Sequence, residues 1–272
     1  MADSMDKALG SVPALEVNGL TVKFPIRGGV FSKVQSYFTA VDNISFVLPQ
    51  GKILSIVGES GCGKSTLVKA LVGLNPIASG NFKIFGKDAG GAGQKVGRVS
   101  DVMQMVFQDP FSSLNPRQTI SEILTAPVVA RGLSFEDAEK RACNLLDRVS
   151  IPKGALEKFP HEFSGGQRQR LCIARSLMVQ PKILLCDEVT SALDVSVQAQ
   201  ILHLLDDLRN DLGLSIVFIS HDMQVVRALS DEVLVMYFGK VVERGLADVV
   251  LTNPQNDYTK KLLASVPTIK RD

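Results

Sequence analysis

Nine residues, Gly58-Glu-Ser-Gly-Cys-Gly-Lys-Ser-Thr66, combine three glycines, a lysine and hydroxyls in a spacing suited to holding phosphate. Gly58, Gly63, Lys64 and Ser65 stand in the register G-x-x-x-x-G-K-[ST]. In that register the glycines let backbone N–H groups turn inward around phosphate oxygens, and Glu59, Ser60, Gly61, Cys62 and Thr66 complete the lining. Lys64 can reach the outer phosphates, and the Ser65 hydroxyl can ligate Mg²⁺.

A second group lies far along the chain. Lys182-Ile-Leu-Leu-Cys-Asp-Glu188 reads as an apolar strand that stops at two carboxylates. Asp187 is placed to hold Mg²⁺ through water. Side chains alternate along a strand, so Glu188 points another way and can polarise a water in line with a γ-phosphate. The bland alternative is a pair of solvated strand-end acids. Ser164, Gly165, Gly166 and Gln167 put a small, N–H-rich turn at a helix start, an anion-binding geometry. A second phosphate-binding turn makes most sense if it serves a second nucleotide. Gln108 follows a short strand at a domain junction and could sense the γ-phosphate or Mg²⁺; His221 follows the strand SIVFI and can donate to a phosphate. Lys64, Glu188 and His221 are thus the candidate catalytic groups. His161 and His203 carry no such signal.

These residues need elements to hold them. Residues 14–24 alternate like a strand, 25–40 carry Pro25, Gly28 and Gly29 and read as a loop insertion, and 44–48 and Ile53–Val57 read as strands. The last runs into the glycine loop, and the residues after Lys64 are apolar at helical spacing, so strand, loop and helix follow in the order the motif requires. Residues 86–97, polar and glycine-rich, read as a surface loop, and 102–107 as a short strand. From about 110 to 180 the pattern is helical. Ser134 with Asp137 can form a capping box ahead of the apolar face Ala138, Ala142, Leu145, Leu146 and Val149. Strands return at 183–186 and 215–219. Between them Val197, Ile201, Leu204, Leu205 and Leu208 line a helix that Gly213 ends. Residues 232–243 predict a hairpin around Gly239, and the segment after 246 a helix broken at Asn253-Pro254. The expectation is an α/β core with a helical insertion, without internal repeats.

Bulk composition narrows the rest. The 272 residues suit one large domain or a domain with an inserted subdomain; they are 45% hydrophobic and 21% charged, ordinary for a globular protein. With 30 basic and 28 acidic residues the net charge is +2, which gives no reason to expect nucleic acid. Cys62, Cys143, Cys172 and Cys186 lack metal-ligand spacing, which suggests a reduced, cytosolic setting. No apolar run reaches membrane-spanning length and the N-terminus has no signal pattern, so a membrane is expected to be met through a partner.

Together the motifs resemble the ATP-binding cassette (ABC) ATPases over about residues 14–267. GESGCGKST matches Walker A, Gln108 the Q-loop, FSGGQ the signature, ILLCDE Walker B, Ser191-Ala-Leu-Asp194 the D-loop and His221 the switch histidine. The resemblance implies a P-loop NTPase with a RecA-like α/β core, an ABC-type antiparallel β subdomain and an inserted helical subdomain at about 110–180. It implies ATP and Mg²⁺ as ligands, Asp194 among the nucleotide-site residues, and an aromatic stacked on adenine, for which Phe24 matches best and Tyr37 and Phe38 less well. In this family two cassettes pair head to tail, each signature turn closing on the ATP held by the other.

Within the family, the insertion before AVDNISF, the run FQDPFSSLNPRQTI, PHEFSGGQRQR, SALDVSVQAQIL and the tail DYTKKLLASVP look like the oligopeptide/dipeptide/nickel importer branch, "F" type. That implies a second, non-identical or identical cassette, two permease subunits, an indirect link to a substrate-binding protein, and a peripheral position on the cytoplasmic face of a bacterial inner membrane. A branch-type C-terminal segment is expected at about 246–267, with tails at 1–13 and 268–272. Two departures stand out. Val189 replaces the usual proline in Asp187-Glu-Val-Thr190, and Asn253-Pro-Gln-Asn-Asp-Tyr258 replaces a common His-Pro-Tyr. The tail also lacks a cysteine-bearing extension, so no iron–sulfur cluster is expected. A different reading is an ATPase subunit of a soluble assembly such as carbon–phosphorus lyase; a third, an inactive binding role, fits poorly with intact Lys64, Asp187, Glu188 and His221.

Overall fold

The computed structural model describes residues 12–28 and 33–264. The expected tails at 268–272 and 1–13, apart from residues 12 and 13, lie outside the described residues, as do positions 265–267 of the C-terminal segment. In chain order the elements are β1 (Leu15–Gly28), β2 (Lys33–Leu48), β3 (Ile53–Val57), α1 (Lys64–Leu71), β4 (Ser79–Ile84), β5 (Lys87–Gly91), β6 (Met103–Val106), α2 (Pro110–Ser113), α3 (Ile120–Val129), α4 (Phe135–Arg148), α5 (Gly165–Leu177), β7 (Ile183–Asp187), α6 (Val195–Leu212), β8 (Ser215–Ser220), α7 (Met223–Leu229), β9 (Glu232–Tyr237), β10 (Lys240–Leu246), α8 (Ala247–Thr252) and α9 (Asp257–Ala264). They fall into two compact units, one running to Val99 and resuming at Ser215, the other spanning Ser100–Leu214.

The first unit holds an antiparallel sheet in the order β2-β1-β4-β5 and a set of strands in which β3 lies parallel between β8 and β9, with β10 antiparallel to β9. β3 and β8 are buried at every residue, as parallel strands covered on both faces must be, and they are mainly apolar, with Ser55 inside β3 and serines at both ends of β8. Of the expected loop at 25–40, residues 25–28 and 33–40 instead continue the antiparallel pair, and 29–32, with Gly29, lie outside the described residues. Phe24 faces Phe38 in register, Pro25 faces Tyr37, and Gly28 faces Lys33. Pro25 is tolerated because β4 pairs with β1 only over Leu15–Thr21, so the proline interrupts no ladder on that side. The glycine-rich stretch at 86–97 likewise contributes a strand, β5. A Cβ on Gly90 would lie 2.7 Å from the Phe82 ring, so glycine there serves close packing within the sheet.

In the second unit β6 and β7 pair in parallel. Helix α4 buries Ala138, Ala142, Leu145 and Leu146, the face its periodicity predicts, and Val149 beyond its end is buried with them. Ser134 caps it by accepting the Asp137 N–H at 3.1 Å, but the expected reciprocal bond is not made. Aspartate is a methylene shorter than glutamate, and its carboxylate takes the Ser134 hydroxyl proton at 2.6 Å. Helix α6 ends at Gly213 in the left-handed region, φ 63°. Among the described residues no helix is long and apolar enough to cross a membrane.

Candidate active site

The glycine loop joins β3 to α1 in the first unit, and glycine is required at two of its positions by contact as well as by dihedral. Gly58 has φ 149°, and a Cβ there would lie 2.2 Å from the Met236 carbonyl oxygen. Gly63 has φ 107°, and a Cβ there would lie 2.3 Å from the Ala40 carbonyl oxygen. The neighbouring turn braces the loop from outside: the Gly239 N–H donates to the Cys62 carbonyl at 2.9 Å, and Asp42 N–H donates to the Gly239 carbonyl at 2.8 Å.

Lys64 opens α1 and is only 4% exposed. Its ammonium donates to the carbonyls of Gly58 at 2.8 Å and Glu59 at 2.9 Å, so its charge lies inside the loop. Gly63, the residue ahead of α1, offers no side-chain acceptor to the first-turn N–H groups. That contrasts with Thr119, Ser134, Ser164 and Asp194, each of which caps its helix with a side-chain oxygen. An ammonium, a helix start without a side-chain cap and glycines in positive φ together fit an anionic phosphate chain. Ser65 and Thr66 are half-buried on the same first turn, and Ser60 and Gly61 are exposed. Cys62 is buried; burial pushes its thiol up, against the opposing pull of the Lys64 charge.

Sequence reasoning missed what stands behind the loop. Glu59 N–H donates to the Tyr258 hydroxyl at 3.0 Å, and the Tyr258 ring lies 4.1 Å from that of Tyr237. Glu59, Ser60, Gly61, Cys62, Tyr237 and Phe238 line a cleft of about 110 Å³. No spacing could have revealed the Tyr258 contact, which joins positions 199 residues apart. His221, also in this unit, is exposed at the end of β8, and the next residue, Asp222, caps α7. Phe24 is half-buried in β1, while Tyr37 and Phe38, at 62% and 57% exposure, are the more open of the three aromatic candidates.

The acidic group lies in the second unit. β7 delivers Asp187 at 2% exposure and Glu188 half-buried just beyond it. Glu188 sits at φ 47°, a left-handed backbone that a non-glycine residue adopts at a cost of about 1–3 kcal/mol when its surroundings enforce it. Its carboxylate accepts the Gln108 amide N–H at 3.0 Å, so the sequence-predicted sensor is bonded to the sequence-predicted base. Val189 is buried, as an apolar replacement in that turn should be. Among the described residues no cluster of three or more His, Cys, Asp or Glu could hold a metal. Mg²⁺ held by one carboxylate, one hydroxyl, phosphates and waters requires none.

The signature turn starts α5. Ser164 accepts the Gln167 N–H at 3.4 Å while the Gln167 side-chain oxygen accepts the Ser164 N–H at 3.0 Å, a reciprocal cap. The side chains of both residues are therefore turned onto their own backbone. Gly166 packs tightly: a Cβ would lie 2.4 Å from Val197 Cγ1. Asp194 caps α6, accepting from the Val197 N–H at 3.0 Å and the Ser196 hydroxyl at 2.7 Å, and these bonds hold its carboxyl below the usual range.

Comparison with known proteins supplies the family. A family profile described as ABC transporter matches residues 41–191. The glutathione import ATP-binding protein GsiA of Salmonella paratyphi A is 47% identical over 265 residues, covering 96% of this chain and 42% of its own length. The GsiA protein of Escherichia coli K12 is 46% identical over 258 residues, covering 94% of this chain and 41% of its own. The chain thus spans about two-fifths of the length of these curated relatives. Among solved structures, CbiO1 from Clostridium perfringens, described as part of the ABC transporter complex CbiONQ, superposes with a TM-score of 0.73 at 27% identity, covering 89% of this chain and 96% of that one. The dimeric ATP-binding cassette MJ0796 in a post-hydrolysis state with ADP and Pi gives a TM-score of 0.74 at 26% identity, covering 86% and 98%. With its glycine loop, acidic strand end and signature turn all inside this similarity, the chain belongs to the ABC transporter family.

Proposed function

We propose that the chain is an ATP-hydrolysing subunit of an importer for a peptide-like solute, acting as one of two cassettes on a membrane permease. The observation that carries this reading is the pre-formed glycine loop with the Lys64 ammonium drawn into it. Lys64 and the N–H groups from Gly58 to Thr66 bind and orient the phosphate chain. Ser65 and Asp187 supply oxygens to Mg²⁺, with Gln108 as a further candidate; the ion, when bound, neutralises phosphate charge. Glu188 orients a water and accepts its proton, His221 donates to a phosphate oxygen, and Phe24 stacks on the base. Ser164, Gly165, Gly166, Gln167 and Asp194 serve the nucleotide of the partner cassette, which is why the side chains of Ser164 and Gln167 can be spent on capping.

The named relatives are glutathione import proteins, which favours a small peptide as cargo and a peripheral place on the cytoplasmic face of the inner membrane, and favours transport over a soluble lyase assembly. The insert at about 110–180 is the part expected to meet the permease. The test is hydrolysis and glutathione uptake in vesicles reconstituted with the cognate permease. Glu188→Gln should retain ATP binding while slowing hydrolysis roughly 100- to 10,000-fold, the range for loss of a general base. Turnover like that of the wild type would remove the role given to Glu188, and hydrolysis without uptake of any peptide would remove the cargo class.

A further inference from the structure

We infer that Tyr258 is a positioning residue for Lys64, acting through a single peptide plane of the glycine loop. The peptide linking Gly58 to Glu59 presents its carbonyl at one edge and its N–H at the other, since a trans peptide holds them on opposite sides. The carbonyl accepts the Lys64 ammonium at 2.8 Å; the N–H donates to the Tyr258 hydroxyl at 3.0 Å. The plane is therefore held from both edges, next to Gly58 at φ 149°, the glycine whose position admits no side chain. Without the tyrosine this peptide is free to rotate, and the ammonium loses a fixed acceptor.

The segment bearing Tyr258 is itself anchored. Glu243 in β10 accepts the N–H groups of Gln255 at 2.7 Å and Asn256 at 3.1 Å, and the Asn256 side chain in turn accepts the Tyr258 N–H at 2.9 Å. Tyr258, Leu262 and Leu263 pack against a buried cluster that includes Val57, the last residue of the strand that feeds the loop, together with Val235 and Val250. A chain of contacts thus runs from Glu243 through Asn256 and Tyr258 to the Gly58–Glu59 peptide. The C-terminal segment sets the geometry of the phosphate site although it presents no group to the phosphates.

This rests on the reading of Lys64 as the cation that meets the phosphates, and the experiment separates the two. ATP hydrolysis kinetics and calorimetric ATP binding are measured on the full chain for wild type, Tyr258→Phe, Glu243→Gln and Lys64→Ala, alongside thermal melting. Tyr258→Phe keeps the ring on Tyr237 and removes only the hydroxyl. Because Lys64 contacts phosphate before the chemical step as well as during it, the expected effect is on KM. KM and Kd for ATP should rise about two- to tenfold, the range for one lost hydrogen bond, with kcat and melting temperature held. Glu243→Gln, which leaves one acceptor oxygen for two N–H groups, should move KM in the same direction. Unchanged KM and Kd in both variants, with Lys64→Ala strongly impaired, would overturn the positioning role alone. A parallel fall in kcat and melting temperature would reduce Tyr258 to packing and overturn it too. Normal ATP affinity in Lys64→Ala would overturn the reading beneath it.

Discussion

Replacing Gly63 by alanine tests the loop most directly, because a neighbouring glycine provides the control. At Gly63, φ is 107° and the added Cβ would stand 2.3 Å from the Ala40 carbonyl oxygen. Carbon approaches a carbonyl oxygen no closer than about 3.3 Å in ordinary contacts, so roughly 1 Å of movement is needed. Ala40 cannot supply it cheaply: it is buried in β2, and two residues on, the Asp42 N–H is bonded to Gly239, whose own N–H holds the Cys62 carbonyl. At Gly61, φ is 81° and nothing lies within 4 Å of the added carbon. Both variants meet a backbone penalty of about 1–2 kcal/mol, and Gly63, at φ 107° against 81° for Gly61, meets the larger share of it. Gly63→Ala adds an overpacking cost of about 1–3 kcal/mol, which the loop can relieve only by shifting away from the geometry that receives phosphate. At 1.4 kcal/mol per tenfold, as a rough conversion, Gly63→Ala should bind ATP about 5- to 150-fold more weakly than Gly61→Ala. The assay is calorimetric ATP binding with urea denaturation of both variants. Equal affinities for the two would refute the claim that contact with Ala40 fixes the loop.

Three other outcomes follow from particular contacts. Gly166→Ala should lower stability in urea by about 1–3 kcal/mol, since its Cβ would fall 2.4 Å from Val197 Cγ1, and Val197→Ala in the same chain should recover much of that; a double-mutant cycle without coupling would contradict the packing. Burial raises the Cys62 thiol and pushes that of Cys172 to about 11, so less thiolate is present at neutral pH and both should alkylate more slowly than free cysteine at pH 8; mass spectrometry showing equal labelling would contradict this. Chelation with EDTA should abolish hydrolysis and added Mg²⁺ should restore it, whereas persistence without metal would remove the ligand roles of Ser65 and Asp187.

The parts of this molecule that were legible in its sequence are those whose cause is local. The strand, glycine loop and helix from Ile53 to Leu71 follow one another in the chain, and their pattern carries their geometry. The same holds for α4, whose apolar spacing names its buried face. The misread stretches are those where distant sequence decides. Pro25 and Gly28 mark a loop by local chemistry, yet pairing with β2 extends the strand through both. Glycines at 90 and 91 weaken strand propensity, but Phe82 leaves no room for a side chain at 90 and Asn81 makes the fit tight at 91. In the site, the residues of the glycine loop and the acidic strand end were named from spacing alone. The bond from Gln108 to Glu188 and that from Glu59 to Tyr258 were not, because each joins groups whose separation along the chain carries no information.

The burial of the Lys64 ammonium against two loop carbonyls has a consequence for which molecules the loop will open to. Its dehydration is completed when the chain folds, so an arriving ligand is not charged for stripping water from it. The Gly58 and Glu59 carbonyls hold two of its three N–H groups, and the third, which meets only the Cys62 sulfur at 3.9 Å, is the one a ligand oxygen takes. Neutral oxygens offer no advantage over those already in place, whereas anionic oxygens form bonds roughly twice as strong. The lysine therefore compares acceptors by charge, whatever base or sugar accompanies them. A nucleoside without its phosphates brings no charged oxygen to that remaining N–H.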